Sequence, residues 1–363
     1  MFDLLLEKDF LQVCESHQRP FCKAASEGFF KTVKLLLQYQ VNPNVASYEC
    51  HTEKAKLVLE KRKCHPELNY EKNISSDKGH TEMVKQLLKP KCDPNIVNKH
   101  NNSALYVASG KGHTEIVKLL LEHKCDQNVV DEHNNSALHF SSVKGHTKIV
   151  KLLLDHKCDP NVVDEHTNSA LTVGADKGHT EIVKLLLDHK SDPNVVDEHN
   201  NSALCVVSYK GHTEIVKLLL EHKCDPNIVN EHNNSALYVA SDKGHTEIVK
   251  LLLEHKCDPN LVNEYDPSAL YVASGKGHTE IVKLLLEHKC DINIVNKRRQ
   301  SVLYVASSHG HIETVKLLIE HMCNKDREYA LYCAIARGHT GIVKLLREHK
   351  SESNFNENSN SAV

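Results

Sequence analysis

An all-α solenoid, a stack of short helix pairs, is the fold class the sequence predicts, and three observations predict it. The triplet Gly-His-Thr recurs every 33 residues at Gly79, Gly112, Gly145, Gly178, Gly211, Gly244 and Gly277, with Gly310-His311-Ile312 next in step. A strict period of that length marks supersecondary units that each bury their apolar face only against their neighbours. Each period holds two helix-forming runs split by glycine, the first rich in small residues and the second rich in Leu, Ile and Val. Those aliphatic residues sit in short recurring clusters, so the chain can bury a continuous core. Its 363 residues could form two or three globular domains, but the repeat replaces that count with one elongated body.

Residues 98–128 show how one unit is built. Ser103 is placed to cap a short helix through Ala104, Leu105, Tyr106, Val107, Ala108 and Ser109, whose small residues let helices approach closely. Gly110, Lys111 and Gly112 are expected to end it. Thr114 is expected to cap a second helix, with Glu115 at its positive end and Ile116, Val117, Leu119, Leu120 and Leu121 as the apolar face. Lys118 points to water, flanked by Glu115 and Glu122 at spacings that allow local ion pairs of ~0.2–0.5 kcal/mol each. Burial is the larger effect, roughly 1.5–3 kcal/mol for each fully covered Leu, Ile or Val, and it depends on the next repeat. After the second helix Cys125-Asp126-Gln127-Asn128, Cys-Asp-Pro-Asn in most units, leads to an extended Val129-Val130 and a polar tip, Asp131-Glu132-His133-Asn134-Asn135. Asn134 suits a left-handed turn position.

Composition narrows the function classes. Lys+Arg 45 against Asp+Glu 48 gives a net charge of -3, with the signs alternating along each unit. Nucleic-acid binding, which needs a basic stripe, is not expected. The start, Met1-Phe2-Asp3-Leu4-Leu5-Leu6, has an acid where a secretion signal needs bases, and no stretch approaches membrane-spanning length. The expectation is a soluble monomer, cytoplasmic or nuclear, with no membrane insertion. Cys92, Cys125, Cys158, Cys224, Cys257, Cys290 and Cys323 share one position of the unit, and Ser191 takes the same place. Equivalent atoms in stacked repeats should lie ~8–10 Å apart, beyond the roughly 7 Å limit for a disulfide, so the ladder is expected to be reduced thiols in a reducing compartment. The Asn-x-Ser matches at Asn101, Asn134, Asn200 and Asn233 are then by-products of the repeat.

Helix, tight turn, helix and projecting hairpin together resemble the ankyrin repeat, whose pattern includes Thr-Pro-Leu-His-x-Ala and Gly-His. The first motif reads here Ser136-Ala137-Leu138-His139-Phe140-Ser141 or Ser235-Ala236-Leu237-Tyr238-Val239-Ala240, and the second Gly145-His146 or Gly244-His245. The resemblance runs from about Phe21 to Lys350. It departs from the family in having Lys where the family usually has Gly after the second helix (Lys124, Lys157, Lys223, Lys256), at a cost of ~1 kcal/mol each for a left-handed non-glycine residue. Ala replaces the usual Pro before Leu, and the ends are irregular, Gly338 following Gly310 by 28 residues. The expected organisation is an N-terminal cap segment, 1–20, then an ankyrin repeat stack, 21–350, of about eleven helix pairs or partial repeats. The stack is regular from about 98 to 323, and a disordered tail, 351–363, follows.

Nothing in the unit is built for chemistry. His113-Thr114-Glu115 matches half of a zinc deaminase signature, but the chain has no Cys-x-x-Cys to complete the metal site. His123-Lys124-Cys125 offers two soft ligands per repeat, short of a tetrahedral set. No dinucleotide-binding glycine motif, phosphate loop or nucleophile elbow is present, so no catalytic residue, metal or cofactor is expected.

The case for binding rests on variation among the copies. The apolar helix positions barely change, while the end of the first helix reads Gly110, Val143, Asp176, Tyr209, Asp242, Gly275 and Ser308, and the tip changes from Lys99-His100 through Glu132-His133, Glu198-His199 and Glu231-His232 to Glu264-Tyr265 and Lys297-Arg298-Arg299. In ankyrin-type proteins those positions line the face that meets partners, as the resemblance implies; drift at solvated positions is the alternative. Val143, Asp176, Tyr209, Asp242, Tyr265, Arg298 and Arg299 are the candidate binding residues, with Tyr and Arg favoured as interface anchors. Acidic middle tips and a basic tip at Lys297–Arg299 suggest a partner that is acidic toward the C-terminal repeats. The resemblance further implies asparaginyl hydroxylation where Leu precedes an Asp-aliphatic-Asn step, and Leu285 with Asp291-Ile292-Asn293 fits best. The function expected is a non-enzymatic scaffold or adaptor that binds a protein. The alternative is a subunit that recruits a substrate to an enzyme complex such as a ubiquitin ligase or phosphatase.

Overall fold

The computed structural model describes residues 100–263, 267–321 and 326–348, together with Thr81, Val84, Leu88, Asn95, Val97 and Asn98. The expected cap segment, the repeats before residue 81, Tyr265, the thiols of Cys92 and Cys323 and the expected tail lie outside these residues. Packing groups the chain into two compact units, Met1–Ser191 and Asp192–Val363.

Within the first unit the helix pairs are Ala104–Lys111 with Thr114–Glu122, Ala137–Lys144 with Thr147–Asp155, and Ala170–Asp176 with Thr180–Asp188. Within the second they are Ala203–Lys210 with Thr213–Glu221, Ala236–Lys243 with Thr246–Glu254, Ala269–Lys276 with Thr279–Glu287, and Val302–His309 with Ile312–Glu320, followed by Arg327–Ala336 and a helical stretch at 340–348. First helices pack on first helices, second on second, and each on its own partner. Within each unit the apolar faces are thus shared between neighbouring repeats, the all-α solenoid arrangement that the period predicts.

The serine cap is where the sequence places it. Ser103 has extended backbone and its Oγ accepts the Tyr106 N–H at 3.1 Å, and Ser136, Ser169, Ser202, Ser235, Ser268 and Ser301 cap in the same way. The same serine closes the hairpin through an antiparallel bridge, Val130 to Ser136 for example. The first helix runs two residues beyond expectation: Gly110 and Lys111 are helical, and Gly112 alone turns left-handed at φ 81° to take the C-cap. Only one residue has to leave the right-handed region to reverse the chain, so the earlier glycine is free to stay helical.

Thr114 does not cap the second helix. It is the first helical residue, and His113 stands at the cap position without a side-chain bond. The turn is closed instead by the backbone, Thr114 N–H donating to the Gly112 carbonyl at 3.0 Å. The second helix buries Ile116, Val117, Leu120 and Leu121 and leaves Lys118 exposed, with Leu119 half-buried. Its charged face is looser than the spacing suggests, since Glu115, Lys118 and Glu122 form no ion pair with one another. At its C-terminus the Nδ1–H of His123 donates to the Leu119 carbonyl at 2.8 Å, a favourable place for a histidine. The chain then leaves through Lys124 at φ 57°, and Lys157, Lys190, Lys223, Lys256 and Lys289 repeat that left-handed step. Cys125, Cys158, Cys224, Cys257 and Cys290 are free and buried, with Ser191 buried at the same position.

Candidate protein-binding surface

Among the described residues, hairpin tips are held by one side chain at the start of the turn. In the first unit Asp131 Oδ1 accepts the backbone N–H groups of His133 (2.9 Å) and Asn135 (2.8 Å), while Oδ2 accepts the Tyr106 hydroxyl at 2.8 Å. Burial alone would raise the Asp131 carboxyl; these donors outweigh it and hold the group below the usual carboxylate range. Asp164, Asp197, Asn230 and Asn296 build the same turn. Asn134 takes the left-handed position at φ 61°, as its chemistry predicts, and Arg299 takes it at the same φ in the basic tip.

Successive tips are linked to one another. His100 Nδ1 lies 3.0 Å from Glu132 Oε1, His133 Nδ1 lies 2.8 Å from Glu165 Oε1, and in the second unit His199 Nδ1 lies 3.1 Å from Glu231 Oε1. The Glu165 bond raises the His133 imidazole above its ordinary value. A second set of links comes from the Gly-His-Thr histidines: His146 Nε2 reaches the Gly110 carbonyl at 3.2 Å, and His245 Nε2 reaches that of Tyr209 at 3.2 Å. The histidine of the signature is therefore a repeat-to-repeat connector.

Of the candidate residues, Val143 is half-buried and its carbonyl faces His179 Nε2 at 3.4 Å. Asp176, also half-buried, pairs with Lys177 at 3.1 Å. Tyr209 is 53% exposed, and the Lys243 ammonium stands 4.6 Å from the centre of its ring. Asp242 holds that lysine at 3.1 Å and Lys276 at 3.7 Å. Tyr209 and Asp242 thus belong to one cluster, completed by two lysines that comparison of the copies did not single out. Arg298 and Arg299 are exposed. Arg298 lines a cleft of about 780 Å³ with Tyr271, Val272, Lys276, Lys297, Tyr304 and Arg337, among others. Tyr271, Tyr304 and Arg337 went unnoticed as well, although the third helical position does vary among copies (Tyr106, His139, Thr172, Cys205, Tyr238).

Some of the variation belongs to packing. A Cβ on Gly110 would stand 2.0 Å from the Phe140 ring, so that glycine makes room for the aromatic of the next repeat. Phe140 in turn stacks on Tyr106 with ring centres 4.9 Å apart. His139 is buried with Nε2 3.8 Å from Asp164 Oδ2, and its burial pushes the imidazole below its ordinary value despite that carboxylate. Asn293 is exposed, its N–H bonded to Asp291 Oδ1 at 2.8 Å. Among the described residues no three His, Cys, Asp or Glu side chains cluster as a metal ion would need, and no helix is long and apolar enough to cross a membrane.

Paired helices with capped turns and linked, projecting tips define a repeat protein whose chemistry lies in its surface. The sequence model of ankyrin repeats in three copies matches residues 73–164, 171–263 and 270–360, and the chain belongs to the ankyrin repeat family. Ankyrin repeats are general protein–protein interaction modules, and typically not catalytic ones. No curated relative matches the chain.

Proposed function

We propose that the protein is a non-enzymatic scaffold or adaptor whose partner lies on the ends of the first helices and the hairpin tips. The observation that carries this reading is the Tyr209 cluster. A large aromatic is held exposed, one side of its ring is covered by Lys243, and that lysine is fixed by Asp242, so the anchor is pre-ordered before a partner arrives. Exposed tyrosine and arginine are the side chains that most often dominate binding energy, and pre-ordering lowers the entropy lost on association. The buried free thiols fit a reducing compartment, cytoplasmic or nuclear. Asn293 is accessible to a hydroxylase, which would add the mass of one oxygen atom to the peptide that contains it.

The test is affinity capture from a cell extract by the wild type, by Tyr209→Ala with Asp242→Ala, and by Lys217→Ala on the opposite helix. Proteins retained by the wild type and Lys217→Ala but lost by the double variant support the proposal. Identical capture by all three removes this surface from the function.

A further inference from the structure

The last full hairpin carries the most basic tip. Where other repeats present Asp131-Glu132-His133-Asn134-Asn135 or Asp197-Glu198-His199-Asn200-Asn201, the last full hairpin presents Asn296-Lys297-Arg298-Arg299-Gln300. The turn itself is unchanged, because Asn296 Oδ1 accepts from the N–H groups of Arg298 at 3.0 Å and Gln300 at 2.9 Å. The inner side differs from that of residues 131–135. Asp131 presents a carboxylate to the hydroxyl of Tyr106, whereas Asn296 donates its amide to the hydroxyl of Tyr271 at 2.9 Å.

The cleft of about 780 Å³ opens beside this tip, between the helices Ala269–Lys276 and Val302–His309. Lys276, Lys297, Arg298 and Arg337 line it together with Tyr271 and Tyr304, and no carboxylate is among its lining residues. Lys276 is shared with Asp242 at 3.7 Å, and with Lys297, Arg298 and Arg337 beside aromatic and aliphatic walls it makes the space complementary to an anionic guest. A volume in this range suits a short segment rather than a folded face.

We propose that this cleft binds an acidic segment of a partner protein, its carboxylates meeting Arg298, Lys297 and Arg337 and its apolar groups lying on the tyrosines. The inference rests on the protein-binding reading above and names the chemistry of the partner. A nucleic-acid strand is the poorer guest, since phosphates running on past Lys276 would meet the Asp242 carboxylate, 3.7 Å from that lysine, whereas a peptide can confine its charge to a few residues.

The chain supplies its own control. Replacing Asn296→Asp, Lys297→Glu, Arg298→His, Arg299→Asn and Gln300→Asn writes the tip of residues 131–135 into this position, and Asn is well suited to the left-handed site that Arg299 now occupies at φ 61°. Fluorescein-labelled oligoglutamate is titrated into the full chain, with oligolysine and a short single-stranded RNA as comparison probes. Oligoglutamate should bind, weaken as salt is added, and lose roughly tenfold or more in affinity to the replaced tip. The single change Arg298→Glu, at an exposed position, should weaken it in the same direction and serves if the five-residue variant does not fold. Equal affinity for wild type and variants, or RNA binding with no oligoglutamate binding, overturns the inference. Loss of natural partners by the Tyr209 variant but not by the replaced tip would also overturn it, while leaving the proposed function standing.

Discussion

The imidazole of His146 closes over Gly112 of the repeat before it: a Cβ on that glycine would stand 2.9 Å from Cε1 of the ring, whose Nε2 lies 3.2 Å from the Gly110 carbonyl. The signature glycine therefore answers two demands, a left-handed turn and room for the next repeat's connector. Gly338 separates them, since it has φ 74° and nothing within 4 Å of a built Cβ. Gly338→Ala should cost only the backbone term, ~1–2 kcal/mol, whereas Gly112→Ala should cost about 1 kcal/mol more because His146 has to move. Urea denaturation of both variants checks this, and equal losses would show that the connector yields freely.

Six lysines sit at φ 57 to 66° where glycine would be unstrained: Lys124, Lys157, Lys190, Lys223, Lys256 and Lys289. Each Lys→Gly change should stabilise by up to ~1 kcal/mol, less the extra freedom glycine gains in the unfolded chain. A double variant, Lys124→Gly with Lys223→Gly, should raise the thermal midpoint by a few degrees. A lower midpoint would mean that the lysine stems contribute packing that outweighs the backbone strain.

Acid sensitivity should trace to His139. Its burial lowers the folded pKa, so the unfolded chain binds the proton more readily, and stability falls as pH drops from the ordinary histidine value of about 6.5 toward the folded one. Asp131, held low in the fold, adds a second loss only at more acid pH, as pH falls from about 3.9 through its folded value. Tyrosine occupies the same position at Tyr106 and Tyr238, so His139→Tyr keeps a native-like side chain and should flatten the profile below about pH 6.5. The stability difference between the two proteins should shift in favour of the variant as pH falls; parallel curves would clear His139.

Burial pushes the thiols of Cys125, Cys158, Cys224, Cys257 and Cys290 up to about 12, with the neighbouring aspartate adding to the effect at Cys125. Thiolate is the reactive form, so iodoacetamide at neutral pH should leave these five unlabelled in the folded protein and label all of them after denaturation. Rapid native labelling would show that the second helices open often.

Local chemistry was legible in the sequence and long-range partnership was not. The serine caps, the left-handed Lys124 and Asn134 and the buried stripe of the second helix follow from residues within a few positions of one another. The turn after Gly112 was misread because Thr114 is a common cap by type, while the backbone bond that replaces its side chain leaves no trace in composition. His146 and Gly110 are 36 residues apart, and Arg337 joins the cleft of Arg298 from a repeat with irregular spacing. Gly110 looked like a variable surface position because its reason, the Phe140 ring, lies in the next repeat.

The central claim is that partners meet the first-helix ends and tips, and oxidative footprinting of the chain with a captured partner tests it most directly. Tyr209, 53% exposed in the free chain, should lose most of its oxidation in the complex, while Leu119 and Leu152, half-buried on second helices, should be oxidised as before. Protection of the second helices with Tyr209 unchanged would contradict the account.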